Sequence, residues 1–232
     1  VSIITGASSG IGRGIASIFA RADSKVVVAD VDTNGGEETV AEIKAAGGDA
    51  VFVSVDVAQS HQVEQMVKTT LNTFGRIDVL ANVAGRQVAA PPLTEVTEDE
   101  WDVVMDINIK GTFLCCKYVI PSMLLDGGGS IINVASSVVL KGSTFSLPYS
   151  VSKAGVVQLT KTASNQYCSQ GIRVNCVVPG LIDSPGSQRV EGAMGVFDQM
   201  VAEIPVGRVG APEDVAQLMI YLASDESAYV SG

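Results

Sequence analysis

At 232 residues, with 47% hydrophobic and 17% charged side chains, the chain is long enough to bury one sizeable core and is globular rather than disordered. A formal net charge of −10, with no clustered Lys or Arg, argues against a nucleic-acid partner or an anionic membrane surface, and no run of about 18 apolar residues is present to span a bilayer. Cys115, Cys116, Cys168 and Cys176 lack C-x-x-C spacing, so they read as reduced core residues, which fits a cytoplasmic protein. The chain starts at Val1 rather than at Met, so an amino-terminal piece is expected to be missing, and any targeting signal with it.

Taken in order, apolar β-branched runs recur at Val1 to Thr5, Lys25 to Asp30, Ala50 to Val55, Val79 to Asn82, Ser130 to Val134 and Arg173 to Val178. They are apolar at nearly every position, the mark of parallel strands buried on both faces, and helical stretches separate them. Repeated βαβ units predict one α/β domain, a doubly wound parallel sheet with helices on both faces.

The first run leads into Thr5-Gly6-Ala7-Ser8-Ser9-Gly10-Ile11-Gly12, which opens a helix from Gly10 to about Ala22. Strand, glycine turn and helix amino terminus together make an anion site, because free N–H groups and the helix dipole face a phosphate. Gly6 permits the tight turn, Gly10 the approach of a pyrophosphate and Gly12 close helix packing, although the spacing is G-x-x-x-G-x-G. Asp30 closes the second run 24 residues after Gly6, where a carboxylate accepts both hydroxyls of an adenosine ribose and repels a 2′-phosphate. No Lys or Arg stands at Ser9 or Val31, so NAD is expected over NADP. Asp56 ends the third run at the same edge, within reach of an adenine amino group, while an N-cap role for Asp56 or Ser60 competes with that reading. His61, the only histidine, reads as a surface residue at a helix start.

Further along, Thr97-Glu98-Asp99-Glu100 caps a long helix from about Glu98 to Leu125, on which Trp101 and Tyr118 pack; Tyr167 is also expected to pack. Tyr149 and Lys153 stand one helical turn apart, placing an ammonium beside a phenol. A cation there favours the phenolate, so Lys153 is expected to pull the Tyr149 pKa down from its usual value of about 10. On spacing alone an ordinary solvated helix face is the commoner outcome; what precedes the pair decides its meaning. The stretch from Ile182 to Val196, with Pro185 and three glycines, is either a mobile lid or a plain surface loop. Ala211-Pro212-Glu213-Asp214 starts a last helix.

Together these residues resemble the short-chain dehydrogenase/reductase family over essentially the whole chain. Thr5 to Gly12 is similar to its T-G-x-x-x-G-I-G turn, Leu80 to Gly85 to its L-V-N-N-A-G segment, and Tyr149 to Lys153 to its Y-x-x-x-K. Asn108 sits at its helix asparagine, Arg173 to Gly180 resembles R-V-N-x-V-x-P-G, and Gly207-Arg208 with Pro212 to Ala216 resembles its closing segment. Val83 departs from the second asparagine of N-N-A-G. The resemblance implies a Rossmann-like strand order 3-2-1-4-5-6, with the family's seventh strand missing beyond Gly232.

That resemblance also implies a NAD-dependent enzyme interconverting a secondary alcohol and a ketone. Tyr149 would be the acid/base and Lys153 its partner on the nicotinamide ribose. Ser136, thirteen residues before Tyr149, would orient the substrate oxygen, with Ser137 as the alternative, and Asn108 would help position Lys153 through a water. Cofactor contacts are implied at Gly6, Ser8, Ser9, Gly10, Ile11, Gly12, Asp30, Asp56 and Val57. Others are implied at Asn82, Ala84, Gly85, Pro179, Gly180, Ile182 and Ser184, besides Tyr149 and Lys153. A homotetramer, or else a homodimer, is implied through the helices from about Glu98 and Tyr149. An NADPH-dependent carbonyl or acyl-thioester reductase and a non-enzymatic nucleotide-sensing protein are the alternatives. Substrate choice would lie with Arg86 to Pro92, Leu140 to Pro148 and the loop after Gly180.

Overall fold

A computed structural model describes residues 1–88, 90–141, 146–188 and 201–232. Six strands, β1 (Ser2–Thr5), β2 (Val26–Asp30), β3 (Ala50–Ser54), β4 (Val79–Asn82), β5 (Gly129–Val134) and β6 (Ile172–Val177), pair in parallel in the order β3-β2-β1-β4-β5-β6. Each expected strand is found, with its ends shifted by no more than one residue, and the implied order is the one observed.

The near-continuous apolar runs are explained by a core on each face. Ile4, Val26, Val28, Ala81 and Ile132 point to one side, where α1 (Gly10–Arg21), α2 (Thr33–Ala45) and α7 (Pro212–Ala223) cover them with Ile15, Phe19, Ile43 and Met219. Ile3, Val27, Leu80 and Ile131 point to the other side. There α3 (Ser60–Phe74), α5 (Gly111–Leu125) and α6 (Leu147–Tyr167) supply Met66, Val119, Met123 and Ala163. Alternate side chains of one strand thus enter two cores, which polar residues on either face would prevent.

Between α4 (Glu98–Met105) and α5 the helix continues through a wide π turn at Asp106–Lys110. One uniform helix from about Glu98 to Leu125 was expected; the extra residue in this turn turns Asn108 inward, fully buried. Gly111 follows because a Cβ there would stand 2.7 Å from Val57 Cγ2. The start of α4 bears out the expected capping box: the Glu100 N–H donates to Thr97 Oγ1 at 3.2 Å and the Thr97 N–H to Glu100 at 3.0 Å. No comparable cap forms on α3, whose preceding residue is Gln59. Asp56 instead accepts the Ala58 N–H, and Ser60 hydrogen-bonds the Tyr118 hydroxyl, so the N-cap expectation for both fails.

Asp214 closes the start of α7, accepting the Ala211 N–H at 2.7 Å while Arg208 pairs with it at 2.7 Å. All four cysteines are free; Cys115 and Cys116 are buried, but Cys168 is exposed at the end of α6 rather than in the core as expected. Among the described residues no helix is long and apolar enough to cross a membrane. From the Ile182 to Val196 stretch, residues 189–196 lie outside the described residues, as do Ala89 and residues 142–145 of the regions expected to choose substrate.

Candidate active site

Because β1 pairs with both β2 and β4, the chain reverses direction across the sheet at this point, and a crevice opens at the carboxyl ends of the strands. A cavity of about 670 Å³ lies there, walled by the turns after β1, β4, β5 and β6.

Its floor is the glycine turn. Gly6 has φ +69°, a left-handed conformation, and a Cβ on it would lie 2.7 Å from the Ala84 Cα, so the turns after β1 and β4 are pressed together. Thr5 locks that contact, its Oγ1 accepting the N–H groups of Val83 and Ala84 at 3.1 Å each. This role was not foreseen; a threonine closing a strand gives no sign of which distant turn it will hold. Gly12 packs on Gly6 as expected, and Ser184 with Pro185 stands over Gly10.

At one end the carboxylate of Asp30 accepts the Ser8 N–H at 2.9 Å and the Asp32 N–H at 3.1 Å. Asp32 and Asp56 line the same end of the cleft. Arg13 lies behind this wall, donating to the Ser8 and Gly35 carbonyls and paired with Glu38 at 3.3 Å and Glu42 at 3.4 Å.

Tyr149, Lys153, Ser136 and Ser137 line the other end. The Ser146 side chain accepts the Tyr149 N–H and starts α6, so the tyrosine sits in the first turn and the lysine one turn later. The Lys153 ammonium donates to the Val134 carbonyl at 2.8 Å and lies 5.8 Å from the Tyr149 ring centre. Ser136, rather than Ser137, is the serine that acts on the phenol, drawing its pKa down. The expected lowering of the phenol pKa is not what this environment produces. Burial pushes Tyr149 up, only partly opposed by the Ser136 bond, while burial also drives Lys153 down to about 8. Desolvation is the largest cause for both groups.

The sign of the Lys153 shift has a measurable consequence. Its folded pKa of about 8 lies below the ordinary lysine value of 10.5, so between these values the unfolded chain holds a proton that the folded chain has lost. The lysine's contribution is therefore fully present above pH 10.5 and lost as pH falls through about 8. Relative to Lys153→Met, wild-type stability is expected to rise by about 2 kcal/mol from pH 8 to 9.5, measured by urea unfolding. A pH-independent difference between the two proteins would contradict it.

Asn108 clamps the turn after β4 and lies, like Lys153 Nζ, beside Gly85. Its Oδ1 accepts the Arg86 N–H at 2.7 Å, and its Nδ2 donates to the Arg86 carbonyl at 3.0 Å and to Ser152 Oγ at 2.9 Å. Its own carbonyl takes the Thr112 hydroxyl at 2.7 Å. Asn82, expected to touch the cofactor, stands behind the cleft: it is 4% exposed and donates to Asn133 Oδ1 at 2.8 Å. A side chain near the carboxyl end of a central strand lies between the layers; here a partner on the next strand takes the Asn82 amide N–H, while its Oδ1 has no partner among the described residues. Val57, Ala84, Gly85, Pro179, Gly180, Ile182 and Ser184 line the cleft with Ser8, Ser9 and Ile11.

A family model described as Enoyl-(Acyl carrier protein) reductase matches residues 6–232. The chain belongs to the short-chain dehydrogenase/reductase family. It is 37% identical to the 3-oxoacyl-(acyl-carrier-protein) reductase FabG of Thermotoga maritima over 232 residues, covering all of this chain and 93% of that protein. It is 38% identical to the hydroxy(phenyl)methylsuccinyl-CoA dehydrogenase subunit BbsD of Thauera aromatica, over all of this chain and 92% of that one. Among solved structures, a Beutenbergia cavernae protein assigned as an NAD(P)-dependent gluconate 5-dehydrogenase, with NADP at low occupancy, superposes with a TM-score of 0.93. That protein is 32% identical, with 99% of this chain and 91% of that chain covered. The chain is an oxidoreductase of this family, using a nucleotide cofactor.

Proposed function

We propose that this protein interconverts a secondary alcohol and a ketone with NAD(H), Tyr149 carrying the proton. One observation supports this above others: the cleft has Ser136, Tyr149 and Lys153 at one end and the ribose-binding carboxylate Asp30 at the other. The residues present fit a dinucleotide. The Gly6 to Gly12 turn offers backbone N–H groups at the start of α1 for a diphosphate, and Ile182 and Ser184 face it from the turn after β6. When bound, the nicotinamide supplies or accepts the hydride. Tyr149 gives the proton to, or takes it from, the substrate oxygen, and Ser136 holds that oxygen by its hydroxyl. Lys153 keeps a positive charge beside the phenol and returns protons near neutrality, since its pKa of about 8 lets it lose and regain one. Asn108 fixes the first turn of α6 through Ser152.

NAD over NADP rests on Asp30, whose carboxylate would meet a 2′-phosphate with like charge, and on Arg13, whose guanidinium is occupied by Glu38 and Glu42. The second reading, an NADPH-dependent 3-oxoacyl-thioester reductase, is favoured by FabG and by the NADP-bound neighbour. Comparing kcat/KM for the two nucleotides, by nicotinamide absorbance with a panel of secondary alcohols, polyols and sugars, separates them. NAD is expected to win, and Asp30→Ser to narrow its lead by about 10-fold or more, worth roughly 1.4 kcal/mol of relieved repulsion. A wild-type preference for NADP would select the second reading.

We also propose a cytoplasmic location, consistent with four free cysteines, and a homotetramer, otherwise a homodimer, consistent with exposed Val103 and Phe113 on α4 and α5.

A further inference from the structure

Arg86 is an arginine that lines the cleft, and it does so at the end occupied by Tyr149 and Lys153. Of the other described arginines four are engaged, though Arg21 is not: Arg13 with Glu38 and Glu42, Arg76 with Asp78, Arg208 with Asp214, and Arg173 with the Leu222 and Ser224 carbonyls. Among the described residues no carboxylate pairs with Arg86, although the chain carries 25 acidic residues against 15 basic ones. Its backbone, by contrast, is fixed on both sides by the Asn108 amide, accepting from the Arg86 N–H at 2.7 Å and donating to its carbonyl at 3.0 Å. The same amide donates to Ser152 Oγ, which donates to the Tyr149 carbonyl at 2.8 Å, so the root of the arginine is tied to the helix that carries the phenol. The preceding residue, Gly85, lies against the chemistry: a Cβ on it would stand 3.4 Å from Lys153 Nζ.

Among the described residues the Arg86 side chain has no partner while its backbone is clamped next to the reacting groups, an arrangement suited to holding a ligand anion. The charge along the cleft agrees, with Asp30, Asp32 and Asp56 at the nucleotide end and Arg86 with Lys153 at the other. An anionic substrate is drawn to the second end and repelled from the first.

Resting on the oxidoreductase reading above, we propose that Arg86 is a specificity-determining residue and that the substrate is a small hydroxy acid or keto acid. Its carboxylate pairs with the Arg86 guanidinium while its carbinol or carbonyl oxygen meets Tyr149 and Ser136. A guanidinium binds a carboxylate through two parallel hydrogen bonds, which fixes the orientation of a short carbon chain as well as its charge.

The test is a matched panel of secondary hydroxy acids of increasing chain length, each beside its neutral methyl ester, with plain secondary alcohols and a β-hydroxyacyl thioester. Wild type, Arg86→Gln and Arg86→Lys are compared by kcat/KM. Wild type is expected to prefer at least one acid over its ester, and Arg86→Gln to lower that acid's kcat/KM by about 10- to 100-fold, the worth of a charged hydrogen bond, so that the acid-to-ester ratio falls toward one. Arg86→Lys is expected to keep part of the ratio, because the charge remains and the fork is lost. Turnover of esters, alcohols or thioesters without any acid preference, or an acid-to-ester ratio that Arg86→Gln leaves as it was, overturns the role of Arg86 alone. An absence of nicotinamide-dependent turnover across the whole panel overturns the oxidoreductase reading beneath it.

Discussion

Tyr149→Phe is expected to lower kcat by about 10³-fold, the typical worth of a positioned proton carrier, while nucleotide affinity stays close to that of wild type. The substitution removes one oxygen and leaves the ring in place. At most the phenol's interaction with Ser136 is lost, so folding should lose no more than about 1 kcal/mol, and a fall in turnover cannot be ascribed to unfolding. Turnover and KM by steady-state kinetics, nucleotide affinity by titration and the thermal midpoint together separate these effects. A variant that turns over like wild type would remove Tyr149 from the chemistry.

Direction of reaction adds a second sign to the same prediction. Burial raises the Tyr149 pKa, so at neutral pH the phenol holds its proton and is ready to donate. Ketone reduction uses that proton, whereas alcohol oxidation needs a group that has lost it. Oxidation by wild type should therefore climb with pH while reduction declines, and the residual activity of Tyr149→Phe should lack this opposition. The Lys153 charge, which falls away above about 8, favours the phenolate only while the lysine is protonated. Each of the two groups is dominated here by loss of solvent.

The framework was legible because local pattern and tertiary role coincide. An apolar run such as Val26 to Ala29 is buried on both faces, and that requirement is visible residue by residue. The Gly6 to Gly12 turn, Asp30 and the Tyr149–Lys153 pair are read from spacing, since each spacing maps directly onto a strand end or a helical turn. What escaped was set by contacts between distant segments. Nothing in Asp106 to Lys110 announces a π turn, and without that turn the Asn108 amide cannot be foreseen on Arg86, 22 residues earlier. Asn82 shows the same limit: its register opposite Asn133 on β5 sets the partner of its amide, which its own motif does not name. The raised phenol pKa escaped for the same reason, because burial is a property of the packed molecule and charge spacing is not.

Gly12→Ala sets a local preference against a packing limit. Helix propensity alone favours alanine over glycine by about 1 kcal/mol within a helix such as α1. Against this, a Cβ at Gly12 would lie 2.0 Å from the Gly6 carbonyl oxygen, 2.6 Å from its carbon and 3.0 Å from the Ala7 Cα. These are backbone atoms and cannot rotate aside as a side chain can. Gly6 cannot retreat either, since it is already pressed on Ala84 and that contact is tied by Thr5. The packing cost should exceed the propensity gain, reaching about 3 kcal/mol. For a chain of this size that lowers the thermal midpoint by roughly 6–12 °C. Because the displaced atoms form the floor of the cleft, nucleotide affinity should fall with stability. Gly155→Ala on α6 is the matched control: its Cβ would meet the end of the Ile109 side chain at 3.3 Å, and that side chain can turn away. Differential scanning calorimetry and nucleotide titration on both variants decide the matter. A Gly12→Ala protein with the wild-type midpoint and affinity would mean that the turn yields under load, and that the close packing of Gly6 on Gly12 does not hold the cleft floor in place.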